Sequence, residues 1–146
     1  MSQDLLPESA IRFGVAAEDW RAAVRAAGDA LVAAGTTTDA YTDAMIEAVE
    51  TLGPYIVVAP GFALAHARPS EAVKRTGLSW VTLAEPVEFG SKNNDPVTLV
   101  VGLAAFDHDE HLQVMSKLAG VLANQAKLAE LKASTDPAEV RAALLG

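Results

Sequence analysis

The chain has no cysteine, few aromatic residues and only three histidines. Without cysteine there is no disulfide framework, no thiol catalysis and no thiolate metal site. It also lacks a basic cluster. Eleven Lys and Arg face 19 Asp and Glu, for a net charge of −8. That balance argues against a nucleic-acid partner and weakly favours a basic one. The longest apolar stretch, VTLVVGLAAF at Val97–Phe106, falls well short of the roughly 20 residues that span a bilayer. The first residues, MSQDLLPESA, do not follow the charged-then-apolar layout of a signal peptide. The expectation is a cytoplasmic protein with no direct membrane insertion. GxSxG is absent, which removes the usual support for serine hydrolysis. No GxxxxGK[ST] or GxGxxG loop occurs, so no nucleotide or other cofactor is suggested.

What remains is 146 residues, half of them apolar and rich in Ala, Val and Leu. That is enough for one domain with a real core. Ile11–Val15 is short and partly β-branched, and reads as a first strand. From Glu18 to Ala34, Trp20, Val24, Ala27 and Leu31 recur at helical spacing. Gly35 ends that helix, and Thr36–Thr38 can cap a second one striped by Tyr41, Met45, Val49 and Leu52. Gly53-Pro54 is a stop signal. Tyr55–Val58 is extended, Pro60-Gly61 marks a turn or bulge, and Ala63–His66 continues as a strand or strand end.

Leu78–Leu83 is strand-like, with a further extended piece near Val87–Phe89. Val97–Ala105 is apolar throughout enough of its length to be a central strand covered on both faces. Asp107 precedes Glu110 at capping-box spacing and opens a helix with a stripe of Leu112, Met115, Leu118, Ala119 and Leu122. Gln125–Lys132 is a shorter helix, and Asp136-Pro137 starts a last one. The order β-α-α-β-β-β-α-α-α predicts a three-layer α/β/α sandwich around a small mixed sheet.

The histidines are the candidates for chemistry. His66 ends the apolar run GFALAH. It is either a packed strand-end histidine satisfied by a carbonyl, or a base or nucleophile with one ring nitrogen clamped and the other displayed. His111 falls in the first turn of a helix, where the N-terminal field disfavours an imidazolium. If the strands before the two histidines are parallel neighbours, the rings meet at one sheet edge. His108 and His111, three apart, with His66 could alternatively supply three metal ligands, although no HExxH is present. Arg68 sits two residues beyond His66, as an anion partner or as an ordinary turn arginine.

GPYIVVAPGFALAHARP (residues 53–69) resembles the active-site segment of phosphotransferase-system IIA domains of the mannitol/fructose superfamily. Within that superfamily it is most similar to the ascorbate type, whose pattern is GPYIV-x-x-PG-x-AL-P-HARP. The likeness continues through GLSWVTLAEPVEFG and NDPVTLVVGLAAFDHDEHLQVMSKLAGVL, from about Thr38 to about Asn124. The resemblance implies a single EIIA type-2 domain over residues 1–146, a phosphocarrier of sugar uptake. It implies that His66 accepts a phosphoryl group from HPr and passes it to an EIIB component, while His111 stabilises the phosphohistidine. No metal or cofactor is implied. A regulatory role is the alternative within the family, and a homo-oligomer stays open. Two positions depart from the pattern. Ala48 stands where mannitol-type members carry a phosphate-holding arginine, a contact Arg68 could make instead. Ala65 replaces the usual proline before the histidine. Phe62, Leu64 and Phe106 are candidates for an apolar docking rim, or for ordinary core.

Overall fold

The computed structural model describes residues 5–145. A 3-10 turn at Glu8–Ala10 leads into β1 (Ile11–Val15), α1 (Trp20–Ala33) and α2 (Asp39–Leu52). Then come β2 (Val57–Ala59), β3 (Phe62–His66), β4 (Gly77–Val87) and β5 (Val97–Ala104). Helices α3 (His108–Leu122), α4 (Gln125–Ala133) and α5 (Pro137–Leu145) close the chain. The five strands form one sheet in the order β1-β4-β5-β3-β2. β1 is parallel to β4 and β3 is parallel to β5, while β4–β5 and β2–β3 are antiparallel.

Alternation along the strands divides the core between the two sheet faces. Ala63, Ala65, Val81, Val100 and Ala104 pack with Val24, Ala27 and Leu31 of α1 and Tyr41, Met45 and Val49 of α2. Phe62, Leu64, Trp80, Leu99, Val101 and Leu103 pack with Val114, Leu118 and Val121 of α3, Leu128 and Leu131 of α4, and Val140 of α5. A sheet apolar on both faces needs a helical layer on each, and each fully buried Leu or Val contributes about 1.5–3 kcal/mol. The three-layer α/β/α sandwich expected from the sequence is the one observed.

One strand more is present than expected. Of the turn or bulge expected at Pro60-Gly61, the structure has the turn, and its arms form a tight antiparallel pair with Val57 opposite Ala63 and Ala59 opposite Phe62. Gly61 makes the reversal at φ 72°, a conformation L side chains rarely adopt. β4 also runs on through Glu85-Pro86 to Val87. Two helical stripes are narrower than their spacing suggested. Leu52, at the end of α2, is 68 % exposed, and Leu112 is 53 % exposed. In α3 the buried side is Val114, Leu118 and Val121, which turns Leu112 and Ala119 outward.

The starts of α1, α3 and α4 carry side-chain caps, whereas the cap expected from Thr36–Thr38 does not form: Thr38 occupies the N-cap of α2 without a side-chain hydrogen bond. Asp19 accepts from the Ala22 N–H at 2.9 Å, Asp107 from Glu110 at 2.9 Å and Asn124 from Lys127 at 3.0 Å. Each such cap contributes about 1 kcal/mol.

Candidate active site

β5 inserts between β3 and β4, so the C-terminal ends of β3 and β5 lie side by side. His66 is the last residue of β3 and pairs with Leu103. It is two residues beyond Leu64 and so falls on the sheet face that carries α3. After β5 the chain turns through Asp107 into α3, where the His111 N–H bonds the Asp107 carbonyl at 3.1 Å. The two rings therefore come together, with centroids 5.8 Å apart and planes at 62°. The condition set by the sequence, parallel neighbouring strands before the two histidines, is met.

His66 Nδ1 lies 2.9 Å from the Leu64 carbonyl oxygen. A carbonyl only accepts, so Nδ1 carries the proton and donates it there. The lone pair is left on Nε2, and the backbone sets the tautomer. The Tyr55 ring meets the His66 ring edge-on at 5.6 Å and 83°. His66 is thus held between Tyr55 on one side and His111 on the other.

A cleft of about 780 Å³ opens over this pair. Ala44, Glu47, Ala48 and Thr51 of α2 form one wall. Arg68 and Ser70, just past β3, form another, and His108 and His111 of α3 a third. Arg68 is exposed and makes no hydrogen bond or ion pair among the described residues. A guanidinium in that condition can turn toward an incoming anion without giving up a partner. Burial, together with the charge of His66 and then of His108, holds His111 below its ordinary value of 6.5. Its ring is therefore neutral at neutral pH.

Beneath the cleft lies Tyr41 of α2, 1 % exposed. Its hydroxyl accepts from the Ala67 N–H at 3.0 Å and lies 2.7 Å from the Leu103 carbonyl and 3.1 Å from that of Ala67. Burial pushes the Tyr41 phenol up to about 12, against the hydrogen bond from Ala67. It stays protonated, and a donor, throughout the physiological range.

His66, His111, Arg68, His108 and Ala48, all singled out in the sequence, line this one cleft. Phe62 and Leu64 do not form its rim: both are 1 % exposed and belong to the core under α3 and α4. Their inward position follows from strand alternation. Phe106 is 49 % exposed, beside the start of α3, as a rim residue would be. Among the described residues no group of three His, Asp or Glu side chains is arranged to hold a metal ion, so the three-histidine metal site expected as an alternative has no geometric support. Tyr55 and Tyr41 were not among the site candidates. Tyr55 carried a signal, its place in the GPYIV segment. Tyr41 carried none, because its spacing marks only the buried side of a helix.

The family model for the phosphoenolpyruvate-dependent sugar phosphotransferase system, EIIA 2, matches residues 4–146. The ascorbate-specific PTS system EIIA component of Escherichia coli K12 is 38% identical over 141 residues, 96% of this chain and 92% of that protein. Among solved structures, the Escherichia coli complex of enzyme IIAMTL with phosphorylated enzyme IIBMTL has a chain 29% identical to this one. The match has a TM-score of 0.83 and covers 97% of this chain and 99% of that one. The nitrogen regulatory protein IIA-Ntr of Neisseria meningitidis is 28% identical with a TM-score of 0.80, over 96% of both chains.

Proposed function

The chain belongs to the EIIA type-2 family of the sugar phosphotransferase system, and from that premise we propose that it carries a phosphoryl group on His66 Nε2 between HPr and an ascorbate-type EIIB component in the cytoplasm. EIIA components are phosphotransferase phosphocarriers, so group transfer is the reaction to be accounted for. The observation that carries the assignment is the tautomer of His66. The Leu64 carbonyl occupies Nδ1, and Nε2 is left as a lone pair at the edge of an open cleft.

In the first step that lone pair attacks phosphorus in line. The bond from phosphorus to the phosphorylated donor breaks, and its electron pair stays with the donor. The second step repeats this with His66 as the leaving group. Little covalent work falls to the protein, which must position the groups and balance charge. The Leu64 carbonyl and the Tyr55 ring orient the nucleophile. As negative charge builds on the phosphoryl oxygens, His111 supplies a neutral N–H donor, or an imidazolium once charge accumulates. Arg68 supplies a cation where Ala48 offers none. Ala65, lacking proline's fixed φ, leaves the orientation of His66 to its hydrogen bond and its ring contacts.

Among the described residues, five large apolar side chains stay exposed: Leu52, Tyr55, Val58, Phe106 and Leu112. Leu52 and Tyr55 line the cleft, and Phe106 and Leu112 flank the turn that carries His108 and His111. An apolar rim around a reactive group is what a protein partner needs to dock and exclude water. The ascorbate assignment rests on the relative at 38% identity. The likeness to a nitrogen regulatory protein supports a second reading, in which the phosphorylated chain controls other proteins.

Incubation with phosphoenolpyruvate, enzyme I and HPr, followed by intact-mass measurement, tests the assignment. One acid-labile phosphoryl group is expected on the wild type, none on His66→Ala and slower acceptance by Arg68→Ala. Phosphorylation of His66→Ala would overturn it. Chasing the label onto an EIIB component separates the carrier reading from the regulatory one, and His111→Gln should slow that second transfer.

A further inference from the structure

We propose that Tyr41 is a positioning residue for phosphoryl transfer, its hydroxyl acting as a spacer that sets the distance between His66 and His111. The inference rests on the reading of His66 as the phosphoryl acceptor. Direct pairing of β3 with β5 runs from Phe62–Leu99 to His66–Leu103 and then stops. At the next step the Tyr41 hydroxyl stands between the strands. The Ala67 N–H donates to it at 3.0 Å, and it donates to the Leu103 carbonyl at 2.7 Å. With a single proton, the hydroxyl gives its stronger bond to Leu103, the nearer of its two carbonyl neighbours.

The consequence is geometric. Ala67 follows His66 directly, and Leu103 lies two residues before the Ala105–Asp107 turn that leads into α3. One oxygen atom thus holds apart two strand ends, one bearing His66 and the other leading into the helix that bears His111. The fold supports its placement: the Tyr41 ring is fully buried between α2 and the sheet. Removing the oxygen leaves Ala67 N–H and Leu103 C=O with two options. They stay apart and unsatisfied, which burial makes unfavourable, or they close on each other and draw the strand ends together. Either way the ring pair loses its reference. Tyr41 touches neither phosphorus nor either ring nitrogen, so its effect passes through the backbone.

Tyr41→Phe keeps the ring and its packing and deletes only the hydroxyl. Phosphorylation by HPr is followed in single turnovers, together with the HPr concentration for half-saturation. Side-chain 15N spectra report the ring states of His66 and His111. Expected are a transfer rate lower by roughly tenfold to a hundredfold, the range for a misplaced reacting group, with unchanged half-saturation, and an altered titration midpoint for His111. A variant that is merely less stable would show wild-type rates and midpoints below its melting temperature, and that result overturns the proposal. If Tyr41→Phe folds poorly, trimethylamine N-oxide restores the compact state, and the same two outcomes are read there. The wild-type arm keeps the two readings distinct. If wild-type protein takes no phosphoryl group on His66, the carrier assignment falls. If it does and Tyr41→Phe matches it, only the role of Tyr41 falls.

Discussion

Phosphorylation of His66 should raise the affinity of His111 for a proton. In the free protein, burial and the charges of His66 and His108 hold His111 below its ordinary 6.5. A phosphoryl group on Nε2 replaces a neighbour that can only become positive with one that carries negative charge. The ring centroids are 5.8 Å apart. At that distance one unit charge interacts with another by about 0.7 kcal/mol in water and about 3 kcal/mol at an effective dielectric constant near 20. Those energies change the protonation equilibrium by about threefold and about a hundredfold respectively, at 1.36 kcal/mol per tenfold. His111 is partly exposed and the cleft is open, so solvent screening places the expected effect toward the lower figure for each charge. The assay is a 15N-edited pH titration of His111 in free and phosphorylated protein, repeated at two salt concentrations. The midpoint should rise on phosphorylation, and by less at high salt. An unchanged or lower midpoint would refute the charge-balancing role of His111, because no arrangement of two rings this close hides a full negative charge from its neighbour.

Gly28→Ala should destabilise the fold even though alanine is the better helix former. A Cβ there would collide with the side chain of Thr42, whose own Cβ lies 2.8 Å from it, so α1 and α2 must move apart. Overpacking costs about 1–3 kcal/mol, against a helix gain of about 1 kcal/mol. A lower denaturation midpoint with an unchanged m-value is expected, and a stabilised variant would show that the helices do not pack this closely. Alkaline titration should also be informative. The buried Tyr41 phenol is pushed up from 10 to about 12. With its folded value above its unfolded one, its contribution to stability is complete below pH 10 and is lost as pH rises through 12. That loss amounts to about 3 kcal/mol for the full separation. Denaturant melts between pH 9 and 12 should fall more steeply for the wild type than for Tyr41→Phe, and parallel curves would exclude the assignment.

The helical periodicity, the stop at Gly53-Pro54, the Asp107 cap and the near-continuous apolar β5 were legible, because each is a local pattern with a fixed period or a fixed chemistry. So were five of the residues that line the cleft, Ala48, His66, Arg68, His108 and His111. His66, Arg68 and His111 are unusual residues for their local positions, and the GPYIV…HARP segment adds a family resemblance that periodicity alone does not carry. Leu52 and Leu112 were misread as core because spacing defines a helix face but not its width. The turn at Pro60-Gly61 was visible as a break, whereas the pairing of its two arms into β2 and β3 was not.

By itself, then, the sequence determined the sandwich of helices about an apolar sheet and the identities of the candidate side chains proposed for the chemistry. Only the tertiary structure decided how they meet. Strand order is non-local: β5 enters between β3 and β4, and that insertion alone brings residue 66 within one ring contact of residue 111. The His66 tautomer depends on a carbonyl two residues away whose direction the strand must set. The bridging hydroxyl of Tyr41 depends on three segments converging at one oxygen atom. Period and propensity act over a few residues, whereas the spacing of two rings is set where distant segments pack, and no local pattern encodes that distance.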